Sequence, residues 1–173
     1  FWVMQLWNAD FNIPFDYHWD ALSQAGSIKG MMETGWYTSN PSIGAPYGYS
    51  SLDFPSTAIL DMLFLKFISL FAGNWALTMN IYFLLTFPLT AVTAFYVLRK
   101  LQISAFPAIV GSLLFTFIPF HFLQGELHLN VAAYYQVPLL VLVCLWLFDT
   151  DFTLKPVLHS NTGNHVHLNR QSI

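Results

Sequence analysis

The chain has 173 residues, of which 55% are hydrophobic, 18% aromatic and only 9% charged, against about 25% charged in an ordinary soluble domain. That composition excludes a disordered chain, and six Lys plus Arg exclude the basic face a nucleic-acid binder needs. A net charge of −3 gives no useful steering field, and a single cysteine, Cys144, excludes an intrachain disulfide framework or a Cys-based zinc site.

The chain opens at Phe1 without a basic stretch and small-residue cleavage site, so no signal peptide is visible and an N-terminal slice of something larger is expected. Residues 1–73 read as one extracytoplasmic first loop. Within it Ala21, Ala25, Ile28 and Met32 recur at helical spacing, with Ser23, Gln24, Ser27, Lys29 and Glu33 elsewhere on the wheel. That predicts a short amphipathic helix at the membrane surface. Gly35 to Pro55 reads as loop, punctuated by Asn40-Pro41, Gly44, Pro46, Gly48 and Asp53. Thr57 to Phe71 is strongly apolar but holds Asp61 and Lys66. It predicts a second interfacial helix, with a fourth span in a tight hairpin as the alternative.

Charge placement organises the rest. No Asp, Glu, Lys or Arg occurs between Lys66 and Arg99, between Lys100 and Glu126, or between Glu126 and Asp149. About 20 apolar residues cross a bilayer as a helix, so three spans are predicted near Asn74–Leu98, Ser104–Phe122 and Asn130–Phe148, within residues 74–149. Pro88, Pro107, Pro119 and Pro138 are expected to kink these helices rather than break them. Arg99 and Lys100 place the first turn in the cytoplasm by the positive-inside rule. The turn Gln124–His128 and the first loop then face outward. Residues 150–173 read as a polar cytoplasmic tail, disordered or artefactual, in which His165-Val166-His167 is at most a weak metal site. The fold class is therefore all-α, a multi-pass transmembrane helical protein with a large extracytoplasmic first loop bearing interfacial helices.

Three groups of residues could carry chemistry. Asp20 falls just before the first interfacial helix. Its ordinary reading is an N-cap, worth about 1 kcal/mol, and a carboxylate there can also serve as base or ligand. Glu126 and His128 share the outward turn, with His121 close by. Three titratable groups beside Pro119 and Gly125 look like a site that holds a metal or orients a substrate, although Glu126 and His128 would also be content in interfacial water. Third, Trp36, Tyr37 and Asn40 lie in a loop rich in Trp, Tyr, Ser and Asn. Such residues stack on sugar faces and bond hydroxyls, and they also build aromatic belts at the headgroup level. No phosphate-cradling glycine loop, Gly-x-Ser-x-Gly elbow or His-Glu-x-x-His is present.

The order of these pieces resembles the start of a GT-C superfamily glycosyltransferase, and more closely the bacterial YfhO-like integral-membrane proteins. The resemblance rests on Pro14, Tyr17-His18-Trp19-Asp20-Ala21-Leu22, Glu33-Thr34-Gly35-Trp36-Tyr37, Asn40-Pro41, Gly44-Ala45-Pro46-Tyr47-Gly48, Asp53-Phe54-Pro55 and Gly125-Glu126-Leu127-His128. It runs from about Asn12 to Pro138. It implies a multi-pass enzyme of the bacterial inner membrane that moves a sugar from a polyprenyl-phosphate donor to an acceptor glycan or lipid. It implies that Asp20 is the catalytic base, or a ligand of a divalent cation in members that use one; no other cofactor is implied. His18, Trp19, Trp36, Tyr37, Asn40, Glu126 and His128 are the expected substrate contacts. The leaving lipid phosphate needs positive charge, for which only Lys29, Lys66 and histidines stand outside, so a cationic clamp is expected in spans beyond this chain. Two rival readings remain: a non-enzymatic transporter, flippase or assembly-subunit fragment, and an inactive truncated remnant. A transporter should carry ionisable groups near mid-bilayer, and the mid-span positions here are Leu, Phe, Thr and Ala.

Overall fold

The computed structural model describes residues 4–53 and 59–148. The polar tail, with its histidines, and the first residues of the predicted second interfacial helix lie outside the described residues. The rest is mainly helical: α1 (Asp20–Thr34), α2 (Ile59–Ala72), α3 (Trp75–Lys100), α4 (Ala105–Thr116), α5 (Pro119–Gln124), α6 (Leu129–Ala132) and α7 (Gln136–Phe148). The segment expected to be plain loop also carries a small antiparallel hairpin, β1 (Ser39–Asn40) and β2 (Tyr49–Ser50), pairing Ser39 with Ser50 and Asn40 with Tyr49.

Among the described residues two stretches are long and apolar enough to cross a membrane, Trp75–Lys100 and Ala105–Gln124. α3 starts where a polar cap is available. Asn74 has extended φ/ψ, and its side-chain oxygen accepts from Leu77 N at 2.7 Å. It ends on Arg99 and Lys100, cations beside the negative end of the helix dipole. α3 and α4 pack through small residues. Thr90, Ala94 and Val97 are buried on one helix, and Ala108, Ser112 and Thr116, four apart, on the other. Gly111 lets the backbones close up, since a Cβ there would lie 3.3 Å from Leu98 Cδ1. Small residues at such spacing are the usual way helices pack in lipid, where no hydrophobic force drives them together.

The prolines correct the expectation of simple kinks. Only Pro88 lies well inside a helix. Pro107, Pro119 and Pro138 fall in the first turns of α4, α5 and α7, where the N–H they lack has no intrahelical partner anyway. Pro119 cannot donate to the Phe115 carbonyl one turn back, and the chain bends at Phe117–Ile118. The Tyr134 hydroxyl donates to Phe115 O at 2.9 Å and lies 3.1 Å from Thr116 O, taking over the freed acceptors. The predicted third span is likewise interrupted. α6 ends at Ala132, a turn intervenes, and α7 has 13 residues within the described part. That is about 20 Å of helix, short of the roughly 30 Å hydrocarbon core.

α1 packs on α2 and α3 and buries Ala21, Ala25, Ile28 and Met31, with Met32 only partly covered. α2 explains its two charges. Asp61, Met62, Leu65, Ile68 and Ala72 form its buried face, and Leu63, Phe67, Leu70 and Phe71 are exposed on the other side. Asp61 is only 4% exposed. Its Oδ1 accepts from Tyr82 OH at 2.6 Å, Tyr135 OH at 3.0 Å and Gln136 Nε2 at 3.4 Å. Lys66 Nζ donates to the Met31 carbonyl at 3.3 Å, in the last turn of α1. Both charges turn into the protein and hold α1, α2, α3 and the α6–α7 region together.

Candidate functional site

The segment before α1 is strapped to α3 by two asparagines. Asn80 Nδ2 donates to the carbonyls of Phe11 and Ile13 at 2.9 and 2.8 Å, and Asn74 Nδ2 to Asn12 Oδ1 at 2.8 Å. Phe15 packs edge-on against Phe83, their ring centroids 6.4 Å apart. These contacts fix the path of residues 11–19 and so the entry into α1.

At that entry two turns far apart in sequence meet. Asp20 Oδ2 lies 3.6 Å from His128 Nε2, with the side chains 68% and 43% exposed. The gap exceeds a good hydrogen bond, and both groups open to solvent. Asp20 is the first residue of α1, Trp19 occupies the cap position, and no side-chain cap bond forms. The N-cap reading of Asp20 therefore gives way: its carboxylate points at His128 rather than at its own helix. Trp19 sits at φ 45° and is 85% exposed. A bulky side chain in the left-handed region is strained.

Glu126 lies beneath this pair. It is 2% exposed, and its Oε2 accepts from Asp16 N at 3.1 Å. Its Oε1 and the Nδ1 of His128 are buried without a hydrogen-bond partner. Burial pushes the Glu126 carboxyl up to about 7, the nearby Asp16 charge adds to the rise, and the amides of Asp16 and Phe15 oppose it. Asp16, which sequence reasoning missed, organises the approach. Its Oδ1 accepts from His18 N and lies against His18 Nδ1, both at 2.9 Å. The Asp-x-His spacing was the available signal. Among the described residues no three His, Cys, Asp or Glu side chains converge as a metal site.

His121, expected beside Glu126 and His128, is elsewhere. It is fully buried and stacked on Phe87 at 3.8 Å between ring centroids. Its Nδ1 lies 2.9 Å from the Thr116 carbonyl, which can only accept, so Nδ1 carries a proton; its Nε2 lies 2.8 Å from Thr86 Oγ1, whose hydroxyl donates to the Phe83 carbonyl at 2.6 Å. This histidine fastens the α4–α5 bend and takes no part in the Asp20–His128 cluster.

Trp36, Tyr37 and Asn40 lie at the other end of α1. Asp20 and Thr34 are separated by most of the helix, about 21 Å at 1.5 Å per residue. Trp36 and Tyr37 contact each other at 4.9 Å between centroids, and both line a cleft with Asn40. The predicted residues thus fall into two groups: Asp20, His128, Glu126, His18 and Trp19 at the start of α1, and Trp36, Tyr37 and Asn40 at its end. Neither lysine stands by Asp20: Lys29 lines the cleft with Trp36, Tyr37 and Asn40 and pairs with Glu33 at 3.9 Å, and Lys66 is engaged with the Met31 carbonyl. Comparison with known protein families, curated proteins and solved structures finds no match to this chain.

Proposed function

We propose that this chain is part of a membrane glycosyltransferase that moves a sugar from a polyprenyl-phosphate donor to an acceptor glycan or lipid on the extracytoplasmic side. The observation that carries the reading is the approach of Asp20 to His128, from turns far apart in sequence, at an open surface. In this reading α3 and the α4–α5 pair cross the bacterial inner membrane, and Arg99 and Lys100 stay in the cytoplasm. α1 and α2 lie at the outer interface.

Asp20 then acts as general base. An acceptor hydroxyl gives its proton to the carboxylate while its oxygen attacks the anomeric carbon. The bond from that carbon to the phosphate oxygen breaks, and the lipid phosphate leaves with the electron pair. Such base assistance is typically worth roughly 10²–10⁴-fold in rate. His128, when protonated, offers the leaving phosphate a cation beside Asp20, and exposed Trp19 offers a sugar ring a stacking face. Glu126 holds the entry segment through Asp16. A divalent cation would need ligands from beyond this chain to supplement Asp20, and the same holds for a full cationic phosphate clamp.

The test is transfer of label from a panel of radiolabelled polyprenyl-phosphate sugars in membranes carrying the full reading frame. Transfer abolished by Asp20→Asn supports the reading; no transfer, or transfer unaffected by that substitution, overturns it. One observation favours transport as a second reading. Asp61 is a buried carboxylate held by two tyrosines and a glutamine, the kind of group transporters place on an ion path. Substrate flux across proteoliposomes that fails in Asp61→Asn and survives in Asp20→Asn would favour that alternative.

A further inference from the structure

A cleft of about 500 Å³ runs between α1 and the β1–β2 hairpin. That size suits a small ligand. Its floor is one stripe of α1, where Gly26, Ser27 and Gly30 lie three, four and seven residues beyond Ser23. Its wall is aromatic, formed by Trp36, Tyr37 and Tyr49. The hairpin is locked at the far end. Asn40 Oδ1 accepts from Ser42 N at 2.9 Å, Thr34 Oγ1 donates to the carbonyl of Gly30 at 2.8 Å and lies 3.2 Å from that of Ser39, and a Cβ at Gly30 would stand 2.9 Å from Asn40 Nδ2. Gly26 differs: a Cβ there meets nothing within 4 Å, so its lack of a side chain leaves the floor open rather than serving packing.

The lining chemistry narrows the ligand. Hydroxyls both donate and accept, an amide does the same with separate atoms, and aromatic faces take apolar C–H surfaces. The lining's cation, Lys29, is balanced by Glu33 at 3.9 Å, so nothing there favours a phosphate or a nucleotide. A ligand with many hydroxyls, apolar ring faces and no net charge fits all three features. The stripe also leads toward the first site, because Ser23 and Ser27 lie three and seven residues beyond Asp20, on its side of the helix.

We propose that the cleft between α1 and the hairpin binds a short neutral saccharide, and that this is the acceptor glycan, its end presented to Asp20. The saccharide site stands on the cleft alone; its assignment to the acceptor rests on the proposed transferase reading. The test is calorimetric titration of the detergent-solubilised chain with cellotetraose, maltotetraose and chitotetraose. Saturable binding of at least one is expected, weakened about ten-fold or more, the equivalent of one good contact, in Gly26→Leu. Leucine fills the floor and is a better helix former than glycine, so this variant should unfold no earlier than the parent. Tyr49→Ala, on the opposite wall, should weaken binding likewise. No saturable binding of any of the three, or equal affinity in Gly26→Leu and Tyr49→Ala, overturns the site. Binding of inorganic phosphate in place of the saccharides overturns its neutral-ligand chemistry. Saccharide binding in a protein that transfers no label overturns the acceptor assignment and the transferase reading while leaving the site standing.

Discussion

Glu126 makes stability depend on pH in a direction opposite to that of most carboxylates. Its carboxyl is raised from an ordinary 4.5 to about 7, so the folded chain binds this proton more tightly than the unfolded chain. Stability from this group is fully present below about 4.5 and is lost as pH rises through about 7. At 1.36 kcal/mol per pH unit the loss comes to about 3 kcal/mol, and at 2% exposure solvent screening reduces it little. Glu126→Gln imitates the protonated acid, keeping an acceptor for the Asp16 amide and placing a neutral donor where Oε1 has no partner. Thermal unfolding in detergent should give matching midpoints for parent and variant near pH 4. By pH 8 the variant should melt about 6–12 °C higher, taking about 2–4 °C per kcal/mol for a chain of this size. Parallel pH profiles for the two proteins, or a variant less stable at pH 8, would refute the argument that desolvation dominates at this site.

Other outcomes follow from the same structure. Asp61→Ala leaves the hydroxyls of Tyr82 and Tyr135 without their acceptor and should lower stability by about 3 kcal/mol or more. Asp61→Asn retains an acceptor and should lose less than half of that, read from the same melting curves. Thr86→Val removes the hydrogen-bond partner of His121 Nε2 inside a fully buried pocket; a loss of about 1–3 kcal/mol is expected. Asn74→Ala removes the α3 cap and the link to Asn12; chemical denaturation should report a loss of about 1 kcal/mol. Asp20→Asn, whose side chain is largely exposed, should leave all these midpoints unmoved, so that any lost transfer is chemical in origin.

The long apolar elements were readable from sequence because charge avoidance is a one-dimensional signal. The gaps around Arg99, Lys100 and Glu126 gave α3 and the α4–α5 pair almost to their ends. The bends were not, because a proline reads alike at mid-helix and in a first turn, and only the position of the preceding break tells them apart. Asp61 and Lys66 read as obstacles to burial since their partners, Tyr82, Tyr135 and the Met31 carbonyl, lie on other elements. For the candidate site, sequence order placed Asp20 and His128 on one side of the predicted membrane, and their 3.6 Å approach is a tertiary fact. His121 misled because nearness in sequence to Glu126 says nothing about which way a helix turns a ring. Trp36, Tyr37 and Asn40 were joined to Asp20 only as substrate contacts under the family resemblance, and the length of α1 sets them apart.

The bend at Phe117–Ile118 has a bearing on the order of assembly. Pro119 withholds the donor that the Phe115 carbonyl would have used, and the replacement comes from Tyr134, which leaves the ribosome later. In the bilayer that the proposed reading requires, an unpaired carbonyl costs several kcal/mol. Until Tyr134 arrives, the α4–α5 segment therefore has no dry way to satisfy its own backbone, and it must keep that spot hydrated or within the insertion machinery. In that reading, release into lipid waits on a residue downstream, so that a chain cut short before Tyr134 would stall with its helices made and its seam unsealed.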